Sequence, residues 1–201
     1  MKDIQLYDYQ REMSERIEAA FRSCQSVMVQ MPTGTGKTVL LAEQVKREER
    51  IVKNPCVWIV VHRRELVEQI RETLETMMNS FSTSGTTPSL LLDDSRIKVM
   101  SIQWLSRHYQ EMEEIPSLIV IDEAHHAVAK TYKEVMDAFP EAKKLGLTAT
   151  PCRLTRRGFT DLFDVLLQSW SAKKFIADGW LSLYDYMSIR EDSEDWRLVN
   201  S

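Results

Sequence analysis

Residues 31–38, MPTGTGKT, form the stretch on which the fold turns. The second half, Gly36-Lys37-Thr38, ends as the phosphate-binding pattern G-x-x-x-x-G-K-[ST] ends, but Met31 stands where that pattern has its first glycine. The pattern has physical meaning only between a strand and a helix. Here "SVMVQM" is a short β-branched run that leads into the loop, and "KTVLLAEQVKREER", from Lys37, reads as a helix with an apolar first half and a charged end. In that setting glycines let backbone N–H groups turn toward phosphate oxygens, the helix start adds positive potential, and Lys37 supplies a mobile charge. The Thr38 hydroxyl can sit on Mg²⁺. The expected nucleotide contacts are Thr33, Gly34, Thr35, Gly36, Lys37 and Thr38. Met31 alters the first turn of the loop and leaves its phosphate-facing half intact.

Working outward, strands alternate with helices. "YDYQREMSERIEAAF" has apolar residues at helical spacing (Met13, Ile17, Ala20, Phe21), which predicts a helix from about Asp8 to Arg22. "CVWIVV" is a buried strand, followed by the amphipathic helix "RRELVEQIRETLETMM". "STSGTTPS" is a flexible loop by composition. "IKVMSI", "SLIVID" and "KKLGLTAT" are three more strands, with helical segments between the first two and before the last. Continuous apolar strands alternating with helices predict an α/β fold, a mostly parallel sheet with helices on both faces.

A phosphate-binding loop needs an acidic partner, because Mg²⁺ prefers carboxylate oxygen and an attacking water needs orientation. "SLIVIDEAHH" provides four apolar strand residues and then Asp122 and Glu123 at the strand's carboxyl end. In a parallel sheet that edge also carries the loop. Asp122 is expected to hold Mg²⁺, through water, and Glu123 to polarise the attacking water. With Lys37 they form the expected catalytic set.

Composition bounds the remaining possibilities. The chain of 201 residues has room for one well-cored domain and a short appendage. It is 43% hydrophobic and 28% charged, which is ordinary for a soluble globular protein. No apolar run approaches a membrane span, so no membrane partner is expected, and the N-terminus lacks the apolar segment of a signal peptide. The three cysteines, Cys24, Cys56 and Cys152, lie far apart with no CxxC pair, which argues against a disulfide framework or zinc ribbon and fits the cytoplasm. A net charge of -4 gives no global attraction to nucleic acid, so any such surface must be local.

Local candidates exist. His62, Arg63 and Arg64 fall between a strand end and a helix start, where backbone amides and basic groups suit a nucleic-acid phosphate; a solvated charge cluster is the alternative. Ser101 and Gln103, just after "IKVM", can bond phosphate or sugar. Trp104 beside them could stack on a base, but at such a place a tryptophan is more often core, and the core is expected. Gln10 carries an amide that can pair with both N6 and N7 of adenine.

Taken together, these motifs resemble the first RecA-like lobe of a superfamily 2 helicase of the DEAH-type branch, within which bacterial repair helicases and the motor subunits of type I and III restriction enzymes look nearest. Tyr9-Gln10 in "LYDYQREM" is similar to the adenine-reading glutamine motif, and "MPTGTGKT" to motif I, which in this branch often lacks the first glycine. "VVHRRELVEQ" resembles motif Ia, "VMSIQWL" the next nucleic-acid motif, "DEAH" motif II and "LTATP" motif III. The resemblance implies ATP and Mg²⁺ as cofactors and nucleic acid as partner, DNA in preference to RNA. It also implies that Thr148 and Thr150 connect the Mg²⁺ carboxylates to the nucleic-acid side, with His125 relaying the state of the γ-phosphate.

The same resemblance implies a second RecA-like lobe, whose arginine-bearing motif has no match after Trp180. Residues 1–180 are therefore expected to form the ATP-binding domain and 181–201 a connection toward that lobe. The expected function is ATP-driven movement on nucleic acid. Two rivals remain open: a P-loop small-molecule kinase, against which the DEAH string and motif III speak, and a non-catalytic binding or assembly module that keeps the motifs.

Overall fold

The computed structural model describes residues 6–79, 96–124, 130–149 and 162–182. The chain divides into two units, Met1–Ser169 and Trp170–Ser201. The first unit is a six-stranded, wholly parallel sheet with strand order β3-β2-β4-β5-β1-β6. The strands are β1 (Ser26–Gln30), β2 (Val57–Val61), β3 (Ile97–Ser101), β4 (Leu118–Asp122), β5 (Lys143–Thr148) and β6 (Val165–Gln168). Between them run α1 (Asp8–Phe21), before β1, then α2 (Lys37–Ile51), α3 (Glu65–Asn79), α4 (Ile102–His108) with a 3-10 turn at Tyr109–Glu111, and α5 (Lys130–Ala138).

The central strands are buried on both faces, which is why they read as unbroken apolar runs. All five residues of β2, from Val57 to Val61, are buried, and β4 is buried through Ile121. Trp58, fully buried, meets Phe139 edge to face at 4.8 Å. The α1 helix buries Tyr9, Met13 and Ile17, one i,i+4 row, as its periodicity predicts. It ends one residue short of the expected Arg22. The α2 helix is buried on more than its apolar half. Gln44 donates to the Ser14 hydroxyl at 2.7 Å, Arg47 pairs with Glu18 and Glu43, and Lys143 reaches Glu48 at 3.0 Å. Pairing on this scale is what allows charged groups inside.

One strand has no sequence-based expectation behind it. The four residues of β6 pair with the outer side of β1, Val27 opposite Val165 through Gln30 opposite Gln168. A run this short carries no readable period. What fixes it is distant: Asp164 accepts from the Ser26 hydroxyl (2.7 Å) and amide (3.0 Å), and the Asp164 amide donates back to Ser26 Oγ at 2.9 Å.

Gly146 in β5 marks a close approach. A β-carbon there would lie 2.6 Å from Phe163 and 2.9 Å from the Ala124 β-carbon, so only glycine lets both pack. Parallel strands place all their carboxyl ends on one edge. Met31, His62, Ser101, Asp122 and Thr148 all fall there.

In the second unit, α6 (Ala172–Ala177) is capped by the Ser171 hydroxyl, which accepts from the Lys174 amide at 3.3 Å. Lys174 pairs with Asp178 at 2.9 Å and lies 4.4 Å from the centre of the Trp170 ring.

Candidate nucleotide and nucleic-acid sites

The loop at residues 31–36 joins the end of β1 to the start of α2. Met31 is fully buried and its amide donates to the Thr148 carbonyl at 2.9 Å. The first position of the loop is thus a core position, and a methionine fills it. Gly34 and Gly36 have φ of 82° and 79°, a left-handed backbone that glycine adopts at no steric cost. Thr33 and Gly34 are exposed, and Gly36, Lys37 and Thr38 are half-buried at the head of α2. Thr35 differs from its neighbours. Its hydroxyl donates to the Pro32 carbonyl at 2.7 Å, and its carbonyl accepts from the Tyr9 hydroxyl at 3.2 Å and from Gln10 Nε2 at 3.0 Å. That side chain closes the loop.

Gln10 was expected to offer both ends of its amide to adenine. In the structure it is only 2% exposed, its Oε1 accepts from the Tyr7 amide at 3.0 Å, and its Nε2 holds the loop. One N–H and one lone pair remain. The glutamine ties the phosphate-facing loop to the first helix.

Asp122 ends β4, and Glu123 follows with φ of 52°. Glutamate does not favour that region, and such backbone concentrates at functional sites. Burial pushes the Asp122 carboxyl up, and the charge of Glu123 adds to it; the Glu123 amide and Lys37 pull the other way. Burial likewise lowers the Lys37 ammonium, opposed by Glu123 and Asp122. The lysine and both carboxylates therefore lie within electrostatic reach of one another, as their placement on neighbouring loops of one sheet edge requires. Tyr132 on α5, 2% exposed, feels Asp122 too: burial first and that charge second push its hydroxyl up to about 12. Nothing in the local sequence pointed to Tyr132.

Thr148 is fully buried at the end of β5, opposite Gln30. Its carbonyl meets Met31, and its neighbour Leu147 lies opposite Asp122, so the strand links the loop to the acidic pair through the ladder. His125 and Thr150 lie outside the described residues, as do Cys152 and the arginines Arg153, Arg156 and Arg157.

At the other side of the sheet edge, a cleft of about 1010 Å³ opens between the ends of β2 and β3, lined by His62, Arg63, Arg64, Ser101 and Gln103 among others. The structure brings together all five residues that the sequence singled out there. Two of them already have structural bonds. Ser101, 5% exposed, caps α4 by accepting from the Trp104 amide at 3.3 Å, and Gln103 Nε2 donates to the His62 carbonyl at 2.7 Å. Arg63 and Arg64 are exposed. Trp104 corrects the expectation of a core residue: it is 45% exposed and lines the cleft, with Arg107 and His108 beside it. Helix α4 buries Ile102 and Leu105, which puts Trp104 and His108 on another face. Helical spacing from Trp104 would have grouped it with His108.

Comparison with known proteins adds a lineage. Residues 3–153 match the family model described as type III restriction enzyme, res subunit. A 51.5 kDa protein of a Lactococcus phage is 30% identical over 162 residues, 81% of this chain and 32% of its own. A DNA 3'-5' translocase of Sulfurisphaera tokodaii is 27% identical over 168 residues, 82% of this chain and 34% of its own. The chain thus spans about a third of the length of these relatives. Among solved structures, the Pyrococcus furiosus Hef helicase domain superposes with a TM-score of 0.63 at 19% identity, covering 82% of this chain and 38% of that one. That likeness gives the fold: a RecA-like P-loop sheet.

Proposed function

Because the chain belongs to the family described as type III restriction enzyme, res subunit, we propose that it is the ATP-binding lobe of a helicase or translocase that couples ATP hydrolysis to movement on DNA. One observation carries the reading. Lys37, opening α2 behind a left-handed Gly36, is in electrostatic reach of Asp122 and Glu123 at the end of a nearby strand. A cation that meets phosphate and a half-buried acidic pair at the same sheet edge are what nucleotide hydrolysis requires of a protein.

In this reading the amides of residues 33–36 and Lys37 hold the phosphates. The site also fits Mg²⁺: burial and the Glu123 charge push the Asp122 carboxyl up, which a cation beside it would offset, and the Thr38 hydroxyl would add an oxygen donor. When bound, Mg²⁺ neutralises charge on the phosphate oxygens and orients them. Glu123 orients the attacking water. Thr148, bonded through its backbone to Met31, couples the site to its surroundings, with His125 and Thr150 assigned to the same task. Arg63 and Arg64, supported by Gln103, Ser101 and His62, face the sugar-phosphate backbone. DNA is preferred to RNA because the family is one of restriction enzymes and a relative is a DNA translocase. A second RecA-like lobe supplies the opposite wall of the ATP site. The described cysteines Cys24 and Cys56 are free thiols, which supports a cytoplasmic setting.

The test is phosphate release from ATP, with and without single-stranded DNA, for this chain and for Glu123→Gln. The chain alone should bind ATP and turn it over slowly, without stimulation, because an arginine contributed from across the cleft is worth roughly 10³ to 10⁵ in rate. Robust DNA-stimulated turnover by this chain alone would show that it completes its own site, and the half-site reading would fall.

A further inference from the structure

The cleft beside Arg63 and Arg64 contains more than phosphate ligands. Trp104 and His108, one helical turn apart on α4, stack with ring centres 4.5 Å apart and planes inclined by 14°. His108 Nδ1 lies 2.8 Å from the Trp104 carbonyl. A carbonyl only accepts, so Nδ1 carries the hydrogen, and that bond fixes the imidazole against the indole. Large apolar side chains left at a surface need a reason when they sit in a concave, polar-rimmed site. Here an indole that is 45% exposed lines a cleft of about 1010 Å³. Three arginines, Arg63, Arg64 and Arg107, face it against two glutamates, Glu65 and Glu68, a local positive excess in a chain of net charge -4.

We propose that Trp104 and His108 form a stacking platform that receives one unpaired base of a single strand while Arg63 and Arg64 hold its phosphates. The inference rests on the nucleic-acid reading of this cleft and adds base contact to it. With His108 on one face of the indole, a base meets the other face. The pair is pre-ordered by its own bond, so little side-chain freedom is lost when a base arrives. Stacking on an aromatic face is indifferent to base identity, because every base has a π-face. The cleft would therefore grip single strands of any sequence and favour unpaired over paired DNA, since a base inside a duplex cannot reach the indole.

The probes are an oligothymidylate and an abasic oligomer of equal length, titrated against this chain at low salt and again across a salt series. The wild type should prefer the oligothymidylate. Trp104→Ala should weaken it roughly tenfold, bring it down to the abasic level, and leave the salt slope unchanged. Trp104→Phe should restore most of the preference, which a purely structural role would not require. Thermal melts check that each variant folds. If Trp104→Ala keeps the preference while alanine at Arg63 and Arg64 flattens the salt slope, the platform is refuted and the phosphate contacts stand. If neither oligomer binds, the nucleic-acid reading of the cleft falls and the platform with it, and the exposed indole belongs to a protein interface.

Discussion

A β-carbon on Gly36 would lie 2.4 Å from Nε2 of Gln10. The first helix and the phosphate-facing loop therefore meet where a β-carbon would have to displace the glutamine amide, and the φ of 79° at Gly36 is one that glycine adopts without strain. Gly36→Ala should destabilise the chain by about 1–3 kcal/mol and weaken ATP binding. Adding Gln10→Ala should recover part of the stability by removing the clash but leave the backbone strain, so the two changes will not add. Chemical denaturation of the two single variants and the double variant measures that coupling; strict additivity would mean that the residues do not meet.

Lys37→Ala should remove most of the ATP affinity and leave the fold intact. Burial already disfavours its ammonium, so the side chain contributes little to folding, while a charge-assisted bond to phosphate is among the stronger polar contacts. Calorimetric titration of ATP, paired with a melting curve, separates the two effects. Equal affinity in wild type and variant would return the loop to an ordinary turn.

Alanine at both Arg63 and Arg64 should weaken single-strand binding about equally for all sequences. Each lost phosphate contact should flatten the slope of log affinity against log salt by up to about 0.7, the value for single strands. A slope that does not move would make these exposed arginines solvated charges only.

The clip between Asp164 and Ser26 predicts a pH dependence. The Ser26 hydroxyl first, then the Ser26 and Gln25 amides, hold the Asp164 carboxyl below the usual carboxylate range. A folded pKa below the unfolded one, about 3.9, means a stabilisation that is present above that value and is lost as pH falls through the folded value. Asp164→Asn should therefore cost stability at neutral pH and nothing in strong acid. The cost should stay under about 1 kcal/mol, because the residue is exposed and screened. Urea melts of both proteins at several pH values check this, and a gap that widens in acid would reverse the assignment.

The periodicity of α1, the unbroken apolar runs of β2 and β4 and the glycine-lysine pair before α2 could all be read directly from sequence, because each is a local pattern that burial or dihedral freedom imposes. The acidic pair and the basic cleft were legible as residue types, and the parallel topology then placed them on one edge. What could not be read depends on partners far along the chain. β6 is tied to β1 by the bond between Ser26 and Asp164, Gly146 is required by Phe163 and Ala124, and Tyr132 is buried where it feels the Asp122 charge. Trp104 shows the reverse error, where the residue type suggested the core and the packing of α4 left it exposed.

The anchorage of the loop sets how much disorder a ligand must suppress. Met31 is clamped by the Thr148 carbonyl and the core, Thr35 by Pro32, Tyr9 and Gln10, and Lys37 by its helix. Thr33 and Gly34, at the crown, are the exposed residues of the loop. Ordering a residue costs roughly 1–2 kcal/mol, so each residue already tied down is one that a settling phosphate need not order. The vessel is cast before it is filled, and most of the attraction between loop and phosphate is left to appear as affinity.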